Sequence, residues 1–254
     1  KIIFFWEYFH RVLARIIGIF FLLPLIYFHF FKDVNKKYIF HCYIILFLII
    51  LQGGLGWFMV ISGLYNEVSV SHYRLSLHLT LAIIIASSIF WLILNLKNKK
   101  IKRFFEISKK TLPFQILIFI IFIQIILGAF VSGLDAGQIY QTWPLMDYSY
   151  FPNDLIINNT KDLFNFNNHS LVQFYHRNAA YLILFYILIF SFYIFTNKIY
   201  ILYKPLLILI FFTSLQIFFG VITLTSGLNI FLASTHQIVG VFLVLSAINL
   251  YYRS

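Results

Sequence analysis

QIFFGVITLTSGLNIFLASTHQIVG, residues 216–240, holds a pattern that occurs more than once in this chain. Gln216 is followed by Gly220, then by Ser226-Gly227-Leu228, and after a short polar turn His236 stands near the head of a new apolar run. QGGLGWFMVISGL (52–64) repeats the spacing with Gln52, Gly56 and Ser62-Gly63-Leu64, and His78 follows in YRLSLHLTLA. A third, shorter copy is QIILGAFVSGL, residues 124–134. Recurrence of this kind marks one structural unit used again.

Each copy closes a long apolar run. Seven such blocks fall at about 12–31, 39–61, 75–96, 112–132, 171–196, 203–225 and 230–250, and a membrane span needs about 20 apolar residues. Of the 254 residues 61% are hydrophobic and 11% charged, with a mean hydropathy of +0.89. A soluble domain would carry about 25% charged residues. The blocks are too long and too uniform for the short alternating strands of a membrane barrel. The expected fold is an all-α polytopic membrane protein with seven transmembrane helices in this chain.

The repeat organises those helices. Two runs open on His-Arg: WEYFHRVLARIIGIFFLLPLIYF (6–28) carries His10-Arg11, and VQFYHRNAAYLILFY (172–186) carries His176-Arg177. In the second half the order is a Gln…Ser-Gly-Leu helix, the His176 helix, a second Gln…Ser-Gly-Leu helix and the His236 helix. The first half matches it except for the opening helix, so the repeat predicts a further outward-running helix ahead of Lys1. Two pseudosymmetric four-helix bundles in a parallel repeat are expected. Residues 1–96 form the N-terminal half, 97–110 a basic linker and 111–254 the C-terminal bundle.

Charge sets the topology. KNKKIKRFFEISKK (97–110) holds seven basic residues and one acidic one, and Lys32, Lys36, Lys37, Lys198, Lys204 and Arg253 fall on the same side. The opposite loops carry Asp135, Asp147, Asp154 and Asp162. Basic loops stay in the cytoplasm, so the histidine-led helices start on the outer side. The net charge of +11 is therefore a topology signal with some lipid contact, and no nucleic-acid partner is expected. Cys42 is the single cysteine, which excludes a disulfide framework or thiolate metal site within this chain. No signal peptide is visible in it.

A parallel repeat places equivalent residues at equal depth, so His10, His78, His176 and His236 share the outer leaflet, one pair in each half. A lone histidine at headgroup depth is ordinarily an interfacial polar group. His29, His41, His72 and His169, at loop edges and without counterparts, take that reading. The repeated four do not, because ionisable residues within spans mark function. Two histidines on facing helices of a four-helix bundle are a standard axial clamp for haem iron. Zinc or copper would want further Cys, Asp or Glu ligands, which three of these histidines lack. Ala14, Gly18, Ala179, Ala180, Ala233 and Gly240 beside them leave room for a flat macrocycle. Arg11, Arg74 and Arg177 stand at the outer edge, where they suit either haem propionates or lipid headgroups. Glu7 lies one helical turn before His10, and Gln173 occupies the matching place before His176. One half then holds a cofactor while the other holds something that reacts.

WEYFHR, GWFMVISGL, SHYRLSLHLTLA, GLDAGQIYQTWPLM, VQFYHR and STHQ, in that order over nearly the whole chain, resemble the haem A synthase family. The closer resemblance is to its alphaproteobacterial and mitochondrial type. The resemblance implies oxidation of the C8 methyl of haem O to a formyl group, giving haem A for cytochrome c oxidase. It implies haem b as resident cofactor on His176 and His236, haem O as substrate on His10 and His78, and Glu7 in the chemistry. Haem O synthase and the cytochrome c oxidase assembly machinery are the implied partners, with membrane lipids around the protein and homo-oligomerisation left open. The implied location is the bacterial inner membrane or the mitochondrial inner membrane, with the histidines near the periplasmic or intermembrane-space face. Some members carry a cysteine pair in an outer loop of the first half; this chain does not. The alternative is a membrane electron carrier of the cytochrome b type with a bis-histidine haem in each half, which leaves Glu7 without a chemical role. A transporter ranks last, since it would need helices broken at mid-membrane.

Overall fold

A computed structural model describes residues 2–32, 34–65 and 70–254, and the side chains of the Ser62-Gly63-Leu64 copy lie outside the described residues. Seven α-helices carry the described chain: α1 (Ile2–Phe31), α2 (Lys36–Tyr65), α3 (His72–Lys97), α4 (Leu112–Gly133), α5 (His169–Thr196), α6 (Tyr203–Thr225) and α7 (Ile230–Arg253). All seven are long and apolar enough to cross a membrane. In hydrocarbon a helix satisfies each backbone N–H and C=O within its own segment, and these compositions leave no other economical state.

Local signals set the ends. Asn168 caps α5 by accepting from the Leu171 amide at 3.1 Å, and Asn229 caps α7 by accepting from the Phe231 amide at 3.0 Å. Such caps contribute about 1 kcal/mol each. Pro113 sits in the first turn of α4, where its missing N–H costs nothing. Beyond α6, Gly227 and Leu228 both take positive φ, 74° and 61°, and that left-handed turn ends the helix.

The apolar blocks locate the helices closely, with one marked difference. α1 begins at Ile2, about ten residues before its uninterrupted apolar block. Within its polar head Glu7 and Arg11 pair one turn apart, Nη2 to Oε2 at 3.2 Å. At 1.5 Å per residue, the 30 residues of α1 reach about 45 Å, against a hydrocarbon core of about 30 Å. The extra turns carry Glu7, His10 and Arg11.

The chain divides into two compact units, residues 1–69 with 81–102 and residues 70–80 with 103–254. In the first, α1 packs on α2, and the Tyr43 hydroxyl meets His29 Nδ1 at 3.1 Å. Asn95, 1% exposed, receives the Lys102 amide on its Oδ1 at 3.0 Å, which fastens the start of the linker to α3. In the second unit α4 packs on α5 and α7, and α6 packs on α5 and α7. The four helices close into a bundle in which α5 and α7 face each other across the middle. Leu117, Ile121, Ile187, Leu206, Leu209, Ile248 and Leu250 form its core, each no more than 2% exposed.

Candidate functional site

His176 and His236 lie on the two facing helices of the bundle. His176 is seven residues into α5 and His236 six residues into α7, about 9–10 Å along each axis. Each ring is set in the same way by the preceding helix. On α4, Gln124 Nε2 lies 3.4 Å from His176 Nε2 and donates to the His176 carbonyl at 3.0 Å. On α6, Gln216 Nε2 lies 3.2 Å from His236 Nε2.

One turn beyond each glutamine is a glycine that admits the ring. A Cβ on Gly128 would stand 3.0 Å from His176 Cε1, and one on Gly220 would stand 2.9 Å from His236 Cε1. The repeated Gln-x-x-x-Gly spacing is thus a contact module: the amide and the missing side chain lie on one helix face, against one histidine.

Both modules also leave the same atoms unsatisfied. His176 Nδ1, His236 Nδ1, Gln124 Oε1 and Gln216 Oε1 are buried without hydrogen-bond partners. Each orphaned group costs about 1–3 kcal/mol, and the cost falls twice at equivalent places. A metal-centred flat group between α5 and α7 fits these residues, since each histidine has a ring nitrogen to give and each ring packs on a glycine.

The loop of residues 134–168, expected on the outer side from the charge pattern, closes over this end of the bundle. Its anchor is the carbonyl of Tyr140, which accepts from Arg177 Nη2 at 2.9 Å and from Gln173 Nε2 at 2.8 Å. Arg177 Nη1 also donates to the Leu145 carbonyl at 3.1 Å. The Tyr140 hydroxyl donates to Asp154 Oδ1, and the Ser170 hydroxyl to Asp154 Oδ2 at 2.6 Å. Burial and the Asp154 partnership push the Tyr140 phenol up. For Asp154, burial pulls the other way, but the hydroxyls of Ser170 and Tyr140 outweigh it and hold the carboxyl below its ordinary value.

The remaining sequence candidates fall elsewhere. Glu7, His10 and Arg11 lie on α1 in the first unit, and the Glu7–Arg11 pair is half exposed, at 56% and 46%. His78 and Arg74 belong to the head of α3 in the second unit, and both are half-buried. Sequence reasoning set His72 aside as a loop-edge residue, yet it opens α3 and is 7% exposed, edge-on to Phe130 with ring centroids 5.2 Å apart. The contacts of Gln124, Gln216, Gly128 and Gly220 were missed, although their spacing was the signal that could have found them. Tyr140, Asp154 and Ser170 gave no periodic signal. Among the described residues no group of three or more His, Cys, Asp or Glu could hold a bare metal ion.

Residues 1–248 match the cytochrome oxidase assembly protein family. The chain is 47% identical over 253 residues to the haem A synthase of Pelagibacter ubique (strain HTCC1062), covering 97% of this chain and 72% of that protein. The chain belongs to the haem A synthase family. It is also 40% identical over 233 residues to the haem A synthase of Wolbachia pipientis wMel, covering 91% of this chain and 65% of that one. Against the haem A synthase of Flavobacterium psychrophilum (strain ATCC 49511 / DSM 21280 / CIP 103535 / JIP02/86) it is 39% identical over 247 residues, 93% of this chain and 70% of the other. Residues 1–248, the region that matches the family, contain both histidine modules and the loop of residues 134–168.

Proposed function

We propose that this protein makes haem A by oxidising the C8 methyl of haem O to a formyl group, for use in cytochrome c oxidase. The observation that carries the reading is the matched setting of His176 and His236, in a chain whose relatives are haem A synthases. In this reading haem b is resident between the two rings, His10 and His78 hold haem O, and Glu7 serves the chemistry. A haem held by His176 and His236 would supply one-electron transfer.

The chain's own residues divide the work. His176 and His236 bind and orient, and Gly128 and Gly220 let the helices approach their rings. Arg177 and Gln173 hold the outer loop by its Tyr140 carbonyl, limiting water at this end of the bundle. Converting a methyl to a formyl group removes four electrons and takes in one oxygen, so positive charge and protons develop at the macrocycle edge. A carboxylate suits that demand as base or as counter-charge. Arg11 Nη2 donates to Glu7 Oε2 at 3.2 Å, which steadies the carboxylate on α1. Gln173, the matching residue of the second half, is committed to the loop. The basic loops support a reading with the histidine ends on the periplasmic or intermembrane-space face, and haem O synthase and the oxidase assembly machinery are the partners this reading calls for.

The test is extraction of pigments from the purified protein. Haem B together with haem O or haem A supports the synthase. Haem B alone, in two equivalents per chain, would favour the two-haem electron carrier.

A further inference from the structure

We propose that Gln124 and Gln216 are positioning residues of the histidine pair, each fixing the rotation of one ring and tuning its donor strength. The inference rests on the reading of His176 and His236 as axial ligands. Neither glutamine is placed by packing alone. Gln124 is tethered by the carbonyl of the histidine it serves, and the Gln216 amide lies against Gly240, where a Cβ would stand 3.4 Å from Nε2. Gly240 is four residues beyond His236, one turn along the same face of α7. The amide therefore sits between its ring and a helix surface kept bare for it.

The chemistry follows from the ring. A neutral imidazole that gives one nitrogen to iron carries its proton on the other, and that N–H needs an acceptor. Gln124 and Gln216 each bring an amide to one ring nitrogen and hold a buried carboxamide oxygen with no partner. At Gln216 half a turn of the amide presents that oxygen to the N–H; at Gln124 the same turn gives up the bond to the His176 carbonyl, so the amide must also swing off that oxygen to reach the ring. Accepting the proton makes the imidazole more electron-rich, which favours ferric over ferrous iron. An amide is a mild acceptor and a carboxylate a strong one, so the site is built for an intermediate donor strength. Two equal modules would set both rings alike.

Gln124→Ala, Gln216→Ala and the two Gln→Glu variants test this in protein purified with its b-type haem. The readouts are the low-spin optical and electron-paramagnetic-resonance spectra and a redox titration. Both Ala variants should keep the low-spin spectrum and lose about tenfold in ferric preference, a rise of 59 mV in midpoint potential for one electron. Both Glu variants should move the potential the opposite way. A merely structural role would not reverse sign between Ala and Glu. Unchanged potentials in all four variants, or shifts of the same sign for Ala and Glu, would overturn the proposal. His176→Ala is the separate control: an intact bis-histidine spectrum there overturns the ligand reading itself.

Discussion

Gly220 lies against His236 so closely that a Cβ at this position would stand 2.9 Å from the ring's Cε1, and Gly128 bears the same relation to His176 at 3.0 Å. Both glycines are inside apolar helices, where alanine is the better helix former by about 1 kcal/mol. Gly220→Ala and Gly128→Ala should therefore leave helix content and thermal unfolding of the haem-free protein unchanged or slightly improved. Haem retention should fall, and more for Gly220, where the ring must shift, than for Gly128, where it must give by a few tenths of an ångström. Gly240→Ala, whose Cβ would make ordinary contact at 3.4 Å, should retain most of the haem. Optical quantification of haem per protein beside thermal melts checks the order; full haem loading of Gly220→Ala would remove the steric argument.

Removing either ring should remove the shared site. His176→Ala and His236→Ala each delete one of two facing donors, and the low-spin spectrum of the b-type haem should disappear in both. The bundle should persist, because both substitutions leave its fully buried apolar residues in place. A low-spin spectrum that survives both substitutions would assign the haem to other residues.

The span positions were legible because hydrocarbon leaves a chain one local solution, so uninterrupted apolar length is enough to find a helix. The polar head of α1 was not legible in that way, since Glu7 and Arg11 break the apolar run while the helix continues through them. His176 and His236 stood out through the repeat. What Gln124 and Gln216 touch could not be read, because a spacing says which residues share a face but not what that face meets. Arg177 illustrates the same limit. Both of its terminal nitrogens donate to carbonyls of the outer loop, contacts that no spacing announces. That loop is held by single hydrogen bonds between distant positions, which leave no period in the sequence.

The outer loop should be insensitive to pH across the neutral range. Asp154 has a folded value below its unfolded one of about 3.9, so its contribution is fully present above that point and is lost as pH falls through the lower folded value. Tyr140 has a folded value above its ordinary 10, so its contribution is complete below about 10 and is lost as pH rises through the higher folded value. Limited proteolysis of residues 134–168 should be flat from about pH 5 to pH 9 and should rise only in stronger acid or base. Asp154→Ala should be cut faster throughout that plateau. Protection that changes around pH 6–7 would mean that another group controls the loop.

The side on which the histidines lie can be read with Cys42 replaced by Ser and one new cysteine at a time. Asn98 is in the basic linker and Asn158 in the outer loop. Asn158→Cys should react with an impermeant thiol reagent added to intact cells after outer-membrane permeabilisation, and Asn98→Cys only after the inner membrane is opened. The reverse pattern would overturn the topology drawn from charge.

Glu7 separates binding from chemistry. Its pairing with Arg11 is half exposed, and a helical pair of this spacing stabilises by only about 0.3–0.5 kcal/mol. If the carboxylate merely steadies the head of α1, Glu7→Gln should cost little, because glutamine keeps the length and can still accept from Arg11. If it acts as base or counter-charge during oxidation of the methyl group, conversion should fall by about 10²-fold or more. The b-type haem should stay bound with an unchanged spectrum, since His176 and His236 are on other helices. Unreacted haem O, or a partly oxidised haem, should accumulate on the variant. Arg11→Gln should be milder, because it removes the carboxylate's partner and leaves the carboxylate in place. Haem analysis of the purified variants beside the parent decides the matter: a normal haem A yield from Glu7→Gln would return Glu7 to a role in the helix alone.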